Sequence, residues 1–110
     1  MTKRRRAAFA RWAIHGRLLS NQLAYDSKNM MYYVYMLHSI PNPDQTYIGF
    51  TENLKTRLTS HNSGQSPHTA KFKPWELITY LAFSDRSKAL SFEKYLKSHS
   101  GKAFANKRLW

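Results

Sequence analysis

The chain predicts an α+β domain, a sandwich of strands and helices, on three observations. Two short aromatic and β-branched runs, Tyr32–Leu37 and Thr46–Phe50, are separated by Pro41-Asn42-Pro43-Asp44 and read as a hairpin. A third run of this kind, Trp75–Ala82, follows a segment of helical period. A second helical segment comes after it, which completes the order β-β-α-β-α with a short terminal helix.

Each element has its own reasons. Tyr32-Tyr33-Val34-Tyr35-Met36-Leu37 is too short and too continuously apolar for a surface helix and reads as a buried strand. Pairing it with Thr46-Tyr47-Ile48-Gly49-Phe50 brings Tyr35 close to Tyr47. Thr51 is a candidate N-cap for a helix through His61, in which Leu54, Leu58 and His61 share one face and Gly64 closes the end in the left-handed conformation. Arg57 and His61 then lie one turn apart. Ser63–Pro74 is polar and proline-bounded, hence a loop, and the third strand after it alternates imperfectly. Ser84 or Asp85 caps a second helix running toward Ser98, with Ala89, Phe92 and Leu96 on its core side and Gly101 as its stop. The last nine or so residues are too few for an isolated helix in water, so Phe104, Leu109 and Trp110 are expected to fold them back onto the sheet.

At 110 residues, with 42% hydrophobic and 15% aromatic, the chain makes one domain with a modest core. Eighteen Lys and Arg against six Asp and Glu leave +12, which selects polyanionic partners: nucleic acid first, an anionic membrane second. The absence of cysteine excludes disulfides and thiolate zinc sites and fits a reducing compartment. No run approaches the roughly 18 apolar residues of a membrane span, and no secretory apolar segment is present, so no stable membrane association is expected.

Charge divides the chain. Residues 1–29 hold seven basic residues against Asp26, a net +6, and read as a basic extension, disordered or helical, ahead of the domain at 30–110. Lys3-Arg4-Arg5-Arg6 suits sequence-blind phosphate contacts, the Arg-rich and acid-poor character suits an organellar targeting segment, and Phe9, Trp12, Ile14 and Leu18 suit an amphipathic surface helix. Met30-Met31 directly before the first strand adds the plainest reading, an upstream start whose tail the domain does not need.

Residues 32–110 resemble the GIY-YIG nuclease superfamily, in particular small standalone bacterial proteins similar to the nuclease domain of the excision-repair incision subunit. Tyr33-Val34-Tyr35 meets the first family motif with Tyr in place of the leading Gly, and Tyr47-Ile48-Gly49 meets the second unchanged. The arginine motif is Asn53-Leu54-Lys55-Thr56-Arg57-Leu58 followed by His61-Asn62-Ser63-Gly64, and the carboxylate motif is Phe92-Glu93-Lys94-Tyr95-Leu96-Lys97-Ser98. Two positions depart: Phe50 stands where some relatives carry a basic residue, and Asn106 lies only near the place of a family asparagine. The resemblance implies an α+β fold with a three-stranded antiparallel sheet flanked by helices, and phosphodiester hydrolysis with one divalent cation, Mg²⁺ or Mn²⁺, carried by Tyr35, Tyr47, Arg57, His61 and Glu93. It also implies a bacterial, cytoplasmic setting.

The residue types suit that chemistry on their own terms. Hydrolysis of a phosphodiester needs an in-line water, an acceptor for its proton, and positive charge on the developing oxyanions. Glu93 supplies one hard oxygen ligand of the kind Mg²⁺ accepts while keeping its waters. With only Asp44, Glu52, Glu76, Asp85 and Glu93 between 30 and 110, one metal is favoured over two. Arg57 offers a planar fork for the scissile phosphate. Tyr47 is the favoured base and Tyr35 the orienting phenol, with the roles exchangeable; a nearby cation favours phenolate over the usual pKa of about 10. Lys55, Lys71, Lys73, Lys94, Lys97, Lys102, Lys107 and Arg108 are candidate backbone-phosphate contacts, because nothing in their spacing suggests a groove-reading helix. The expected activity is therefore a DNA endonuclease of low sequence specificity, with a place in repair or recombination and RNA as a further substrate class. The alternative is a basic nucleic-acid-binding module on the same fold without turnover.

Overall fold

The computed structural model describes residues 30–110, and the expectations for residues 1–29 lie outside them. β1 (Tyr32–Ser39), β2 (Thr46–Thr51), α1 (Leu54–Ser63), β3 (Trp75–Phe83), α2 (Arg86–Leu96) and α3 (His99–Arg108) follow in chain order, with one 3₁₀ turn at Ala70–Phe72. The sheet is antiparallel throughout in the order β2-β1-β3, as the hairpin and the third strand require.

Because β1 is central, its alternate side chains enter two separate cores. Tyr33, Tyr35 and Leu37 face α1 and pack with Leu54, Leu58, Trp75 and Leu77. Val34 and Met36 face α2 and α3 and pack with Ala89, Leu96 and Ala105. A β-bulge explains the imperfect alternation of β3: Met36 pairs with Thr79 but Leu37 pairs with Leu77, which leaves Ile78 unmatched. Trp75 and Leu77 before the bulge and Tyr80 after it therefore share the α1 face, while Leu81 and Phe83 turn to the other.

Helix caps account for the element boundaries and correct two expectations. The N-cap of α1 is Asn53, whose Oδ1 accepts from Thr56 N at 3.1 Å. Thr51 is still in β2, paired with Tyr33, and its hydroxyl instead accepts from Asn53 N at 3.1 Å. Gly64 closes α1 at φ 83°, as expected, and Leu54, Leu58 and His61 are its buried residues. Asp85 caps α2, accepting from Ser87 N and Lys88 N, and the bond from the Ser87 hydroxyl, followed by these backbone bonds, holds its carboxyl below the usual range. Gly101 is not a helix stop. It lies buried within α3, which Ser98 caps, and a Cβ there would stand 1.7 Å from the Tyr95 carbonyl oxygen. Glycine here lets two helices approach closely rather than ending one.

The terminal helix is held differently from expectation. Ala105 is fully buried, Leu109 packs on the second core, and Thr79 Oγ1 donates to Leu109 O at 2.6 Å. Phe104 and Trp110 do not seal the sheet: each keeps 38% of its surface exposed. Among the described residues no helix is long and apolar enough to cross a membrane.

Candidate active site

The α1 face of the sheet carries a buried polar cluster inside an aromatic wall. Tyr35 and Tyr47 come from β1 and β2, with Tyr35 opposite Gly49 and Tyr47 opposite Leu37, so both phenols project to the same side. Their ring centroids are 6.0 Å apart, and the His61 ring lies 5.7 Å from Tyr35 and 4.7 Å from Tyr47. Arg57, one turn before His61 on α1, places its Nε 3.2 Å from the Tyr35 hydroxyl oxygen and donates to it.

The hydrogen bonds run as a chain. Tyr35 Oη lies 2.8 Å from His61 Nε2, and His61 Nδ1 lies 2.8 Å from Thr69 Oγ1. Thr69 Oγ1 directs its own hydrogen to Ser66 O at 3.4 Å. The tautomer assigned from these partners carries the ring proton on Nδ1, so that Nε2 accepts from the Tyr35 hydroxyl. Tyr35 thus gives its proton to His61 and receives Arg57 on its lone pair.

Burial sets the protonation states. Desolvation, reinforced by the Arg57 charge, lowers the His61 pKa from 6.5 to about 4, so the imidazole is neutral at physiological pH. Desolvation also raises Tyr35 to about 12, with the bond from Arg57 opposing it and the Tyr47 phenol adding to it. Tyr35 is therefore a neutral hydroxyl that donates to His61. One prediction follows from the sign of the histidine shift. Below about pH 6.5 the unfolded chain takes up a proton on His61 that the folded chain refuses until about 4. Stability should fall as pH drops through that window, and the wild-type minus His61→Gln difference in thermal midpoint should show it; a difference that does not change with pH between 4 and 6.5 would contradict the shift.

Gly49 and Thr69 complete the cluster. A Cβ on Gly49 would stand 2.5 Å from Tyr35 Oη, 2.6 Å from Tyr35 Cζ and 2.8 Å from Tyr47 Cε1. Glycine within a strand is itself a sign of close approach, so this role was legible. Thr69 carried no such sign, being one polar residue in a loop. That loop is fixed by Asn62, whose Oδ1 accepts from Trp75 N at 2.6 Å, and by Trp75 Nε1, which donates to Thr69 O at 2.9 Å. His68 is exposed and Trp75 buried, a loop and a core residue respectively.

Glu93 is hydrogen-bonded to Lys97 and to none of the four. It sits on α2, four residues after the buried Ala89 and three before the buried Leu96, on the sheet-facing flank opposite Phe92. Its carboxylate is 21% exposed and bonds to Lys97 Nζ at 2.9 Å. Among the described residues, no three His, Asp or Glu side chains group into a metal cluster. A single carboxylate suits Mg²⁺ or Mn²⁺, which keep water ligands, and does not suit zinc, which takes three or four protein ligands. Glu76 is committed elsewhere, buried against His38 Nε2 at 2.9 Å. Of the candidate phosphate contacts, Lys55, Lys71, Lys73 and Lys94 are exposed, and Lys71 lies over the Phe72 ring at 5.2 Å. Lys97 is exposed too, but is paired with Glu93.

Residues 31–108 match the family model described as the GIY-YIG catalytic domain. The chain belongs to the GIY-YIG family. Among its GIY-YIG relatives, a structure-specific endonuclease subunit SLX1 of Debaryomyces hansenii is 41% identical across 60% of this chain and 21% of that protein. A UPF0213 protein of Lactiplantibacillus plantarum is 40% identical across 63% of this chain and 69% of its own length. A UPF0213 protein of Haloquadratum walsbyi is 32% identical across 66% and 80%. The chain spans only 21% and 26% of the two yeast SLX1 subunits it matches, and most of each UPF0213 protein. The short relatives are therefore its better counterparts in size.

Proposed function

We propose that this GIY-YIG domain is a metal-dependent endonuclease that cuts DNA with little sequence preference. The observation that carries the reading is the Arg57–Tyr35–His61 chain, which holds a cation, a buried phenol and an imidazole against one another beside the partly exposed phenol of Tyr47. A site built only for stability would not need a permanent charge bonded to a buried phenol. The names of the SLX1 relatives, structure-specific endonuclease subunits, support a branched or flapped DNA as the substrate and a role in repair or recombination.

In this reading Arg57 grips the scissile phosphate and neutralises charge as it builds on the non-bridging oxygens. Tyr35, neutral and fixed by His61, orients the phosphate or the attacking water. Tyr47, as phenolate beside the Arg57 cation, takes the water's proton as the water oxygen bonds to phosphorus and the phosphorus–oxygen bond to the leaving strand breaks, the leaving oxygen drawing its proton from solvent. Glu93 is the residue that would hold Mg²⁺ or Mn²⁺, after exchanging Lys97 for the cation; when bound, the ion supplies Lewis acidity to the phosphate and more acidic water. Lys55, Lys71, Lys73, Lys94 and Lys97 position the backbone through salt-sensitive contacts. RNA remains within the reach of the same chemistry.

End-labelled flapped, branched, duplex and single-stranded DNAs incubated with Mg²⁺ or Mn²⁺, and in parallel with EDTA, test the proposal. Nicked products that vanish with EDTA and favour junctions are expected. Tight binding of every substrate with no product in any metal would instead establish the non-catalytic module.

A further inference from the structure

The face of the domain opposite the tyrosine cluster carries a feature that its core does not need. Phe92, Tyr95 and Phe104 form a continuous aromatic seam between α2 and α3, with ring centroids 6.2 Å apart for Phe92 and Tyr95, 6.0 Å for Tyr95 and Phe104, and 6.4 Å for Phe92 and Phe104. Phe83 at the end of β3 anchors it, 5.6 Å from Phe92. The seal on the sheet is made by Ala89, Leu96 and Ala105, each fully buried, and Tyr95 and Phe104 stay 40% and 38% exposed. Two adjoining large rings are thus held in place with their outer faces in water.

Their surroundings are cationic. α3 reads HSGKAFANKR, with no acidic residue. Lys107 and Arg108 lie three and four positions after Phe104, on its side of the helix, and Lys88 lies seven before Tyr95, two turns along the same stripe. Of the acidic side chains on this helix, Glu93 is on the opposite flank and bonded to Lys97, and the N-cap Asp85 is bonded to Ser87 and faces Lys88 at the far end of the stripe. A second copy of a +12 chain would bring these charges against their like, so self-association does not suit the patch. Large, partly exposed rings beside lysine and arginine side chains match a polyanion with exposed bases.

We propose that the α2–α3 seam is a second nucleic-acid contact, taking unpaired bases of a single strand by stacking on Tyr95 and Phe104 while Lys88, Lys107 and Arg108 hold the backbone. A duplex keeps its bases covered and gains only the charge contacts. Located across the sheet from Arg57, Tyr35 and His61, the seam would engage the unpaired arm of a junction whose scissile phosphate lies at the other face. It rests on the nuclease reading only for that last step, since binding to a single strand needs no cutting.

The test is fluorescence anisotropy of the full chain with a labelled oligothymidylate and with a blunt duplex of equal length, in EDTA so that catalysis plays no part. Phe104→Ala and Tyr95→Ala should each weaken single-strand binding by about 5- to 100-fold and leave duplex binding within about two-fold. Phe104→Leu keeps apolar volume against Phe92 and removes the π-face, so it should fold as wild type and still lose single-strand affinity. The slope of single-strand affinity against salt should be unchanged in all three, because no phosphate contact is removed. Equal losses on duplex and single strand, or no loss with Phe104→Leu, would overturn the proposal. Sedimentation showing a dimer that Phe104→Leu breaks would also overturn it, in favour of a seam between copies.

Discussion

Alanine at Arg57 or at Glu93 should each lower metal-dependent strand cutting by about 10²- to 10³-fold, the usual cost of removing one group aimed at developing charge. The two losses should part company elsewhere. Arg57 donates to Tyr35 at 3.2 Å, yet His61 at 2.8 Å still holds that hydroxyl once the guanidinium is gone. The fold then loses one hydrogen bond, worth about 0.5–1.5 kcal/mol net, and the thermal midpoint falls by a few degrees only. Affinity for DNA should drop with activity, and Arg57→Lys should restore little of either, because an ammonium cannot grip two phosphate oxygens in one plane. Glu93→Ala breaks an exposed helix pair with Lys97, a change of about 0.3–0.5 kcal/mol, and should leave the melt unmoved. In EDTA it should bind DNA more tightly than wild type, since a negative charge is gone and Lys97 is released. Single-turnover nicking, anisotropy in EDTA and thermal melts read these separately. An Arg57→Ala whose activity loss only tracks its melting loss would make Arg57 structural; wild-type cutting by Glu93→Ala would remove Glu93 from the chemistry.

The parts of the site legible in the sequence are those set by local rules. A hairpin with period-two strands fixes the side on which Tyr35 and Tyr47 emerge, and helical spacing fixes Arg57 one turn from His61, so these four meet as expected. Glu93 is legible as a residue on the flank of α2 but not in its partner, because a flexible carboxylate beside Lys97 takes the nearest cation. Thr69 was hidden because its bond to His61 depends on how Asn62 and Trp75 fold the loop, which no local pattern encodes. Gly101 misled for the opposite reason: glycine after a helical run is commonly a stop, and only the approach of the Tyr95 carbonyl shows that it is a contact. The bulge at Ile78 was present as a flaw in alternation, and its meaning appears only when Leu37 and Leu77 are seen opposite one another.

Gly49→Ala should disable the site from within, without replacing any charged or ionisable residue. The new methyl would stand 2.5 Å from Tyr35 Oη and 2.6 Å from Cζ, so the phenol must yield by nearly 1 Å to reach ordinary contact. It has little room to do so, since Tyr35 is fully buried and its hydroxyl is held by His61 and Arg57, and the methyl cannot shift away because Tyr47 Cε1 would stand 2.8 Å from it. Overpacking of this kind costs about 1–3 kcal/mol. A displacement near 1 Å in a positioning group costs about 10²-fold in rate, which is the expected fall in nicking. The cause can be isolated with Tyr35→Phe, which removes the atom in the closest contact but leaves His61 Nε2 without its donor, at about 1–3 kcal/mol. Both substitutions break the same Tyr35–His61 bond, so their double variant should be less destabilised than the sum of the two. Thermal melts of the four proteins supply the cycle. Strict additivity would mean that the methyl is absorbed elsewhere, and that the Tyr35 hydroxyl is not what Gly49 makes room for.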